Sequence, residues 1–190
     1  MLEELNKIKE LNFIKNNKIF YSAFFSKDHL AKIFNELKNN ESLSFNQLID
    51  ITAIDHPSKE KRFELVYILL SMKLNKRVIL KTHLEENDNI DSLTEIFQAS
   101  NWYERECYDL FGIKFNNHPD LRRIMTDYNF EGFPLRKDFP LTGHTEVRYD
   151  DVEKKVVYEP VKLTQEYRDF DYTSPWEGMN SGIDDQSEQE

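Results

Sequence analysis

Glycine and proline are confined almost entirely to the second half of this 190-residue chain. All five glycines and five of the six prolines follow residue 111, and Pro57 is the exception. Glycine permits left-handed backbone and proline fixes φ, so the second half favours turns and extended segments over long regular elements. The first half has no glycine and is free to form the helices and strands of an ordinary domain. We therefore place a boundary near Gly112.

Apolar residues in the first half recur at the spacings of helices and strands. Helical spacing occurs near the N-terminus, again after Ser26 as a cap, and in a third segment that ends at Gly112. Apolar runs predict three strands over 48–54, 63–72 and 77–84. The helical positions are Leu2, Leu5, Ile8 and Leu11; Leu30, Ile33, Phe34 and Leu37; and Leu93, Ile96, Phe97, Ser100, Tyr103, Cys107, Leu110 and Phe111. The pattern predicts an α+β fold with a small antiparallel or mixed sheet covered by helices.

The second half is expected to be a long extended C-terminal arm with little regular structure, followed by a tail. Five prolines between residues 113 and 176 restrict the residues before them to extended or turn geometry. A long stretch without strong periodicity is typical of a segment that binds a partner. Residues 177–190 carry five acids and no base, which predicts a disordered acidic tail. The predicted domains are thus 1–112 (globular), 113–176 (arm) and 177–190 (tail).

Charge and composition argue against several classes of protein. The net charge is −10 and the pI about 5.1, so release of counterions cannot drive general binding to nucleic acid. The longest apolar run is six residues, 65–70, whereas a transmembrane helix needs about 20. No secretory signal or transit peptide is visible, so we expect a cytoplasmic protein. Cys107, the one cysteine, cannot form an internal disulfide or hold an iron–sulfur cluster alone.

Charged residues stand among large apolar ones in the region after residue 100. Arg105 and Asp109 are i,i+4 neighbours that can pair on a helix, whereas Glu104 and Glu106 diverge by roughly 200° around it. Such residues favour buried ion pairs or a partner interface, while Cys107 is expected to be a small buried hydrophobe. The candidate site residues are Glu104, Arg105, Glu106, Asp109, His118, Asp120, Arg122, Arg123, Arg136, Lys137 and Asp138.

Other interpretations of these residues are open. His118 could act as a general base oriented by Asp120, or join Glu104 and Asp109 in a divalent-metal site, which would make the chain a stand-alone metal-dependent hydrolase. The acidic tail could belong to a regulatory binding module, although such tails are more often only solubilising. Residues 127–141 alternate aromatic and charged side chains between glycine and proline, which favours a preorganised strip that docks on a partner. The same stretch could instead be an ordered loop on the chain's own domain.

The charged region resembles the signature of the C subunit of the proton-pumping NADH-quinone oxidoreductase, respiratory complex I. That signature is Glu-Arg-Glu, an acid three residues on, two large apolar residues, then a histidine and a basic residue before two aliphatic ones. The runs 134–141 and 147–150 also resemble the family, and Phe133 departs from it where many relatives have histidine. The matching residues are Glu104, Arg105, Glu106, Asp109, Leu110, Phe111, His118, Arg122, Ile124 and Met125.

The resemblance implies a non-catalytic structural or assembly subunit of the peripheral arm of complex I. That complex transfers electrons from NADH through FMN and iron–sulfur clusters to quinone and couples the transfer to proton translocation. The resemblance implies no cofactor in this chain, because the flavin and the clusters belong to partner subunits. It implies the D subunit of the complex as the chief partner, with the B and I subunits nearby, and the candidate site residues as partner-binding. Association with the cell inner membrane, on its cytoplasmic side, would occur only through the complex.

Overall fold

The computed structural model describes residues 20–163, together with residues 5, 6, 8, 11, 13–15 and 165. The chain divides into two compact units, Met1–Gly143 and His144–Glu190. The first unit holds a mixed sheet, a second small sheet and the helices, and the described part of the second unit is a two-stranded hairpin.

The described strands are numbered here in chain order. They are β1 (Ile14–Lys15), β2 (Phe20–Phe24), β3 (Gln47–Asp55), β4 (Phe63–Ser71), β5 (Lys76–Leu84), β6 (Asn89–Asp91), β7 (Lys114–Asn116), β8 (Thr145–Asp150) and β9 (Lys155–Pro160). The described α-helices are α1 (Leu30–Asn39), which follows a 3-10 turn at Lys27–His29, and α2 (Ser100–Phe111).

The main sheet has the strand order β1-β2-β5-β4-β3. Only the β2–β5 pair is parallel, so the sheet is mixed. Tyr67 lies opposite Ile51 on one side and Leu80 on the other, and all three side chains are buried on the same face. Helix α1 packs there, with the Phe34 ring 5.0 Å from that of Tyr67. The α+β prediction is confirmed, and so are the three strands, to within a residue at each end.

The helices differ from the predictions at their beginnings. Ser26 does not cap the helix backbone; its hydroxyl donates to the Asp28 carboxylate, because a 3-10 turn lies between it and α1. Of the third helical pattern, only the part from Ser100 onward forms a continuous helix. The residues before Ser100 form separate turns, in one of which the Phe97 N–H donates to the Leu93 carbonyl. The helix predicted near the N-terminus falls mostly outside the described residues.

The segment after Gly112 holds more regular structure than the sequence predicts. Residues 114–116 form β7, which pairs with β6, and β8 and β9 form an antiparallel hairpin over 145–160. The hairpin escapes the sequence prediction because its turn uses Lys154 with a φ of 54°, without glycine. Residues 113–143 belong to the same compact unit as the sheets and helices of residues 20–112. The tail 177–190 lies outside the described residues.

Gly112 ends α2 in the left-handed conformation, as its position predicts, with a φ of 80°. A Cβ at this position would lie 2.6 Å from Nη2 of Arg136 and 2.7 Å from the Phe133 ring. We expect Gly112→Ala to lower the free energy of unfolding by about 1–3 kcal/mol, through backbone strain and overpacking. Urea unfolding of the full chain measures this loss. Gly112→Asn tolerates the left-handed φ better, so recovery of full stability in that variant would contradict the steric explanation.

Candidate functional site

Helix α2 carries four of the predicted site residues. Glu104, Arg105 and Asp109 are buried, and Glu106 is half-buried. These residues are buried because residues 118–138, which we call the returning segment, contact the helix and its end at Gly112. We call that end of the helix the Gly112 corner. The charged part of the helix is therefore turned towards this chain's own backbone.

The Asp109 carboxylate fixes the backbone of the returning segment. Its Oδ2 accepts hydrogen bonds from the backbone N–H groups of Ile124, Met125 and Thr126 at 2.6–2.9 Å. Its Oδ1 accepts from Nη1 of Arg123 at 2.8 Å and from the Thr126 hydroxyl at 2.5 Å. Burial alone would raise the pKa of this carboxyl, but these donors outweigh burial and hold the pKa well below its usual range. We call this arrangement the Asp109 clamp.

The predicted pair between Arg105 and Asp109 does not form. Arg105 instead donates from Nε to the carbonyl of Arg122 and from Nη2 to the carbonyl of Arg123, both at 3.1 Å. Asp109 takes its cation from Arg123, fourteen residues away in sequence. The spacing of four residues on a helix allowed Arg105 and Asp109 to pair. The returning segment instead supplies carbonyl acceptors for Arg105 and N–H donors for Asp109.

Glu104 and His118 lie together beneath the same helix. Oε1 of Glu104 accepts the Leu93 N–H at 2.7 Å, and Oε2 lies 4.0 Å from Nε2 of His118. Nδ1 of His118 accepts the Asp120 N–H at 3.1 Å, so Nε2 carries the hydrogen and donates it to the Asn101 carbonyl at 3.0 Å. Burial, the dominant effect, raises the pKa of Glu104 to about 7.

Another buried carboxylate, that of Asp55, is not among the predicted site residues and holds residues 136–138. Asp55 ends β3, and its carboxylate accepts both Nε and Nη2 of Arg62, at 2.7 and 3.0 Å, and the backbone N–H of Lys137 at 2.7 Å. Nη2 of Arg62 also lies 2.9 Å from the Asp138 carboxylate. The hydrogen bond from Arg62 lowers the pKa of Asp55 despite its burial. We call this the Asp55 anchor.

Arg136 completes the attachment at the Gly112 corner. Its Nε donates to the Phe111 carbonyl at 2.6 Å, its Nη1 donates to Glu86 at 2.7 Å, and its guanidinium lies over the Phe133 ring. Among the other predicted residues, Asp120 and Arg122 form an exposed ion pair. The structure therefore uses most of the predicted residues in contacts within the chain, at two places on α2 and at the end of β3; their binding of a partner stays a prediction.

The three residues of the hydrolase interpretation do not form a common site. Asp109 is committed to the 123–126 segment, while Glu104 and His118 face each other at a different place on the helix. Five residues of helix separate the two acids by about 140°. In the part of the chain that the structure describes, no group of three or more His, Cys, Asp or Glu residues could hold a metal ion. Cys107 is buried and its thiol contacts the Ile51 carbonyl, consistent with a core residue.

Large apolar side chains stand exposed on α2 and on the segment after it. They are not among the candidate site residues, although Tyr128, Leu135 and Leu141 lie in the stretch 127–141 that the sequence predicts to dock. Their exposure depends on the clamp and the anchor, because these contacts determine which side chains face inward. We call them the apolar strip: Trp102 (63% exposed), Met125 (65%), Tyr128 (87%), Leu135 (50%) and Leu141 (86%).

Comparisons with known proteins place this arrangement in a family. Residues 24–145 match the family described as respiratory-chain NADH dehydrogenase, 30 kDa subunit. The C subunit of the NADH-quinone oxidoreductase of Hyphomonas neptunium is 53% identical over 157 residues, which cover 83% of this chain and 78% of that protein. The C subunit of the Cereibacter sphaeroides enzyme is 58% identical over 144 residues, covering 76% and 72%.

A solved structure agrees with these sequence matches. One chain in the structure of the membrane-bound sulfane sulfur reductase, an archaeal respiratory membrane complex, has a TM-score of 0.64 and 25% identity. The match covers 73% of this chain and 82% of that one. The resemblance found at the charged signature is therefore confirmed across most of the sequence, and the chain belongs to the family of the 30 kDa subunit of respiratory-chain NADH dehydrogenase.

Proposed function

We propose that this chain is a non-catalytic structural subunit of the peripheral arm of an NADH-quinone oxidoreductase. The observation that carries the proposal is the internal use of the charged signature. Asp109 and Arg105 are occupied by backbone groups of residues 122–126, so neither is available to a substrate. These contacts attach the segment to the helix and leave the side chains of the apolar strip exposed, and exposed large apolar side chains favour docking to another protein.

The apolar strip is the surface we assign to the partner subunits of the complex, the D subunit chiefly and the B and I subunits. Tryptophan and methionine are enriched at protein interfaces, and tryptophan is a frequent hot spot. Trp102 carries the Arg105 guanidinium over its ring at 5.5 Å, so the indole is held in place before a partner arrives. Preorganisation of this kind reduces the entropy lost on binding.

The hairpin of the second unit offers another candidate surface. Its strand register puts four apolar residues, each more than half exposed, on one face: Val147, Tyr149, Val156 and Tyr158. The opposite face includes the ion pair between Arg148 and Glu159, at 2.8 Å. A two-stranded hairpin is marginally stable by itself in water, which supports a role for this face in contact with another protein.

In this proposal, electrons travel from NADH to quinone through FMN and iron–sulfur clusters that the partner subunits hold. The chain would be peripheral to the cell inner membrane, on its cytoplasmic side, and attached through the complex. Among the described residues, no helix combines the length and apolar character required to cross a bilayer.

Affinity purification of the tagged full chain from native membranes tests the proposal. The eluate is assayed for NADH-quinone reductase activity and for the D, B and I subunits. Recovery within a large, inhibitor-sensitive complex is the expected result. Recovery as a lone protein, with no reductase activity in the eluate, would contradict it.

Trp102→Ala tests the apolar strip directly. We expect the amount of the D subunit recovered with the tagged chain to fall about tenfold or more, because loss of a buried hot-spot tryptophan commonly costs at least about 2 kcal/mol of binding. Met72→Ala is the matched control, since Met72 is exposed to 65% at the β4–β5 turn, outside the strip. Equal recovery of the D subunit with wild type and Trp102→Ala would remove the strip from the interface.

A further inference from the structure

Glu104 is a fully buried carboxyl that the clamp and the anchor do not use. Its side chain has no exposed surface, and its Oε2 has no hydrogen-bond partner among the described residues. An ionised carboxylate buried with a free oxygen is costly, because no cation that the structure describes balances its charge and the hydrogen bonds from Leu93, Ser92 and Ser100 replace only part of its hydration. A neutral carboxylic acid avoids that cost.

His118 is the nearest basic side chain to Glu104, and its hydrogen bonds go to other groups. Nδ1 accepts the Asp120 N–H, which leaves the hydrogen on Nε2. That hydrogen is directed to the Asn101 carbonyl at 3.0 Å, whereas the Glu104 carboxyl is 4.0 Å away. His118 therefore gives the Glu104 carboxyl no hydrogen bond.

The remaining groups around Glu104 supply no positive charge. They come from its own helix, from the segment after β6 and from β4, and they are Ser100, Cys107, Ser92, Leu93 and Tyr67. The hydroxyl of Tyr67 is itself buried without a hydrogen-bond partner among the described residues. On its own helix, the guanidinium of Arg105 is turned to the carbonyls of Arg122 and Arg123. No cation near Glu104 in the described part of the chain neutralises its carboxylate, and binding of a proton would do so.

We propose that Glu104 is a proton-binding site: the folded subunit holds this side chain as a neutral carboxylic acid and takes up a proton at Glu104 when it folds. This inference does not depend on the proposed function. Burial raises the pKa of Glu104 from 4.5 to about 7, so the site is partly occupied near neutral pH. Because the folded state binds the proton more tightly, its stability is greatest below pH 4.5 for this group and is lost as pH rises through about 7.

Glu104→Gln in the full chain tests the site. Glutamine keeps an oxygen for the Leu93 N–H and cannot ionise, so it mimics the protonated acid. Between about pH 4.5 and 8, we expect the unfolding equilibrium constant of wild type to rise about a hundredfold more than that of the variant. Urea unfolding across this range measures the difference. Glu106→Gln, half-buried on the same helix, is the matched control and should keep the wild-type profile.

Parallel pH profiles for wild type and Glu104→Gln would overturn the proposal. If the variant fails to fold, infrared spectroscopy of the folded wild-type chain measures directly whether a carboxyl is protonated. We expect the carbonyl stretch of an un-ionised carboxylic acid at about pH 6, and its loss by about pH 8. The other buried carboxyls, Asp55, Glu64 and Asp109, have lowered pKa values and are ionised at both pH values. A spectrum with carboxylate bands only, at the lower pH, would overturn the proposal.

Discussion

Asp109→Ala is expected to release residues 123–126 from helix α2 and to lower the free energy of unfolding by about 3–5 kcal/mol. The substitution removes the acceptor of three backbone N–H groups and of Thr126, and it leaves the guanidinium of Arg123 without its carboxylate. Buried donors that lose an acceptor pay their full desolvation cost, and this explains the size of the effect.

Two measurements on the full chain check the Asp109 clamp. Urea unfolding reports the loss of stability, and limited trypsin digestion reports release of the segment, through faster cleavage after Arg122 and Arg123. Asp120→Ala is the control, because Asp120 belongs to an exposed ion pair and should change stability by less than about 1 kcal/mol. If Asp109→Ala matched this control in both measurements, the clamp would not hold the segment.

Acid pH should reproduce part of the same loss. The pKa of Asp109 is lowered in the folded protein from its ordinary value of 3.8. The stability that its ionised form contributes is therefore fully present above pH 3.8 and is lost as pH falls through the folded pKa. The pH dependence has the opposite sign to that expected at Glu104, although the two carboxyls lie on one helix.

Asp55→Ala is the second large effect, with an expected loss of about 3 kcal/mol in the free energy of unfolding. The variant leaves Arg62, whose side chain is 12% exposed, without its bidentate partner, and it frees the backbone N–H of Lys137. Residues 136–138 should then detach from the end of β3. Urea unfolding measures the stability, and hydrogen exchange at the Lys137 amide measures the detachment.

A double-mutant cycle separates the Asp55 pair from general damage to the sheet. Arg62→Met removes the cation and keeps an apolar stem, so the double variant Asp55→Ala/Arg62→Met should lose less than the two single variants added together. Asp138→Ala serves as the control, because its side chain is 60% exposed and its bond to Arg62 is screened by solvent. Strict additivity would show that Asp55 does not act through Arg62.

The clamp gives a physical meaning to the charged signature in this chain, and the anchor adds a second attachment outside that signature. Asp109 and Asp55 bind the returning segment at two places, and Arg136 binds it at the Gly112 corner. Residues that a sequence search selects as candidates for chemistry are here used to hold a segment in shape. The surface proposed for partners is instead made of the apolar side chains that this scaffold leaves outside.

The sequence by itself determined the elements whose formation depends on neighbouring residues. The α+β class, strands β3, β4 and β5, helix α1 and the left-handed end of α2 at Gly112 all follow from apolar periodicity and from the backbone freedom of glycine. The family resemblance was also readable, because the signature is contiguous in the chain. The hairpin after residue 144 was missed, since its turn carries no glycine or proline.

Only the tertiary structure decided which charges pair. Helical spacing offered Arg105 as the partner of Asp109, yet the carboxylate is satisfied by Arg123 and by three backbone groups. Asp55 meets Lys137 across 82 residues of sequence. A buried charge is stabilised by whichever donors the fold brings within about 3 Å, and local spacing does not contain that information. The same reason separates Glu104 from Asp109: one buried acid meets no cation among the described residues and binds a proton more tightly than usual, and the other meets five donors and ionises more readily.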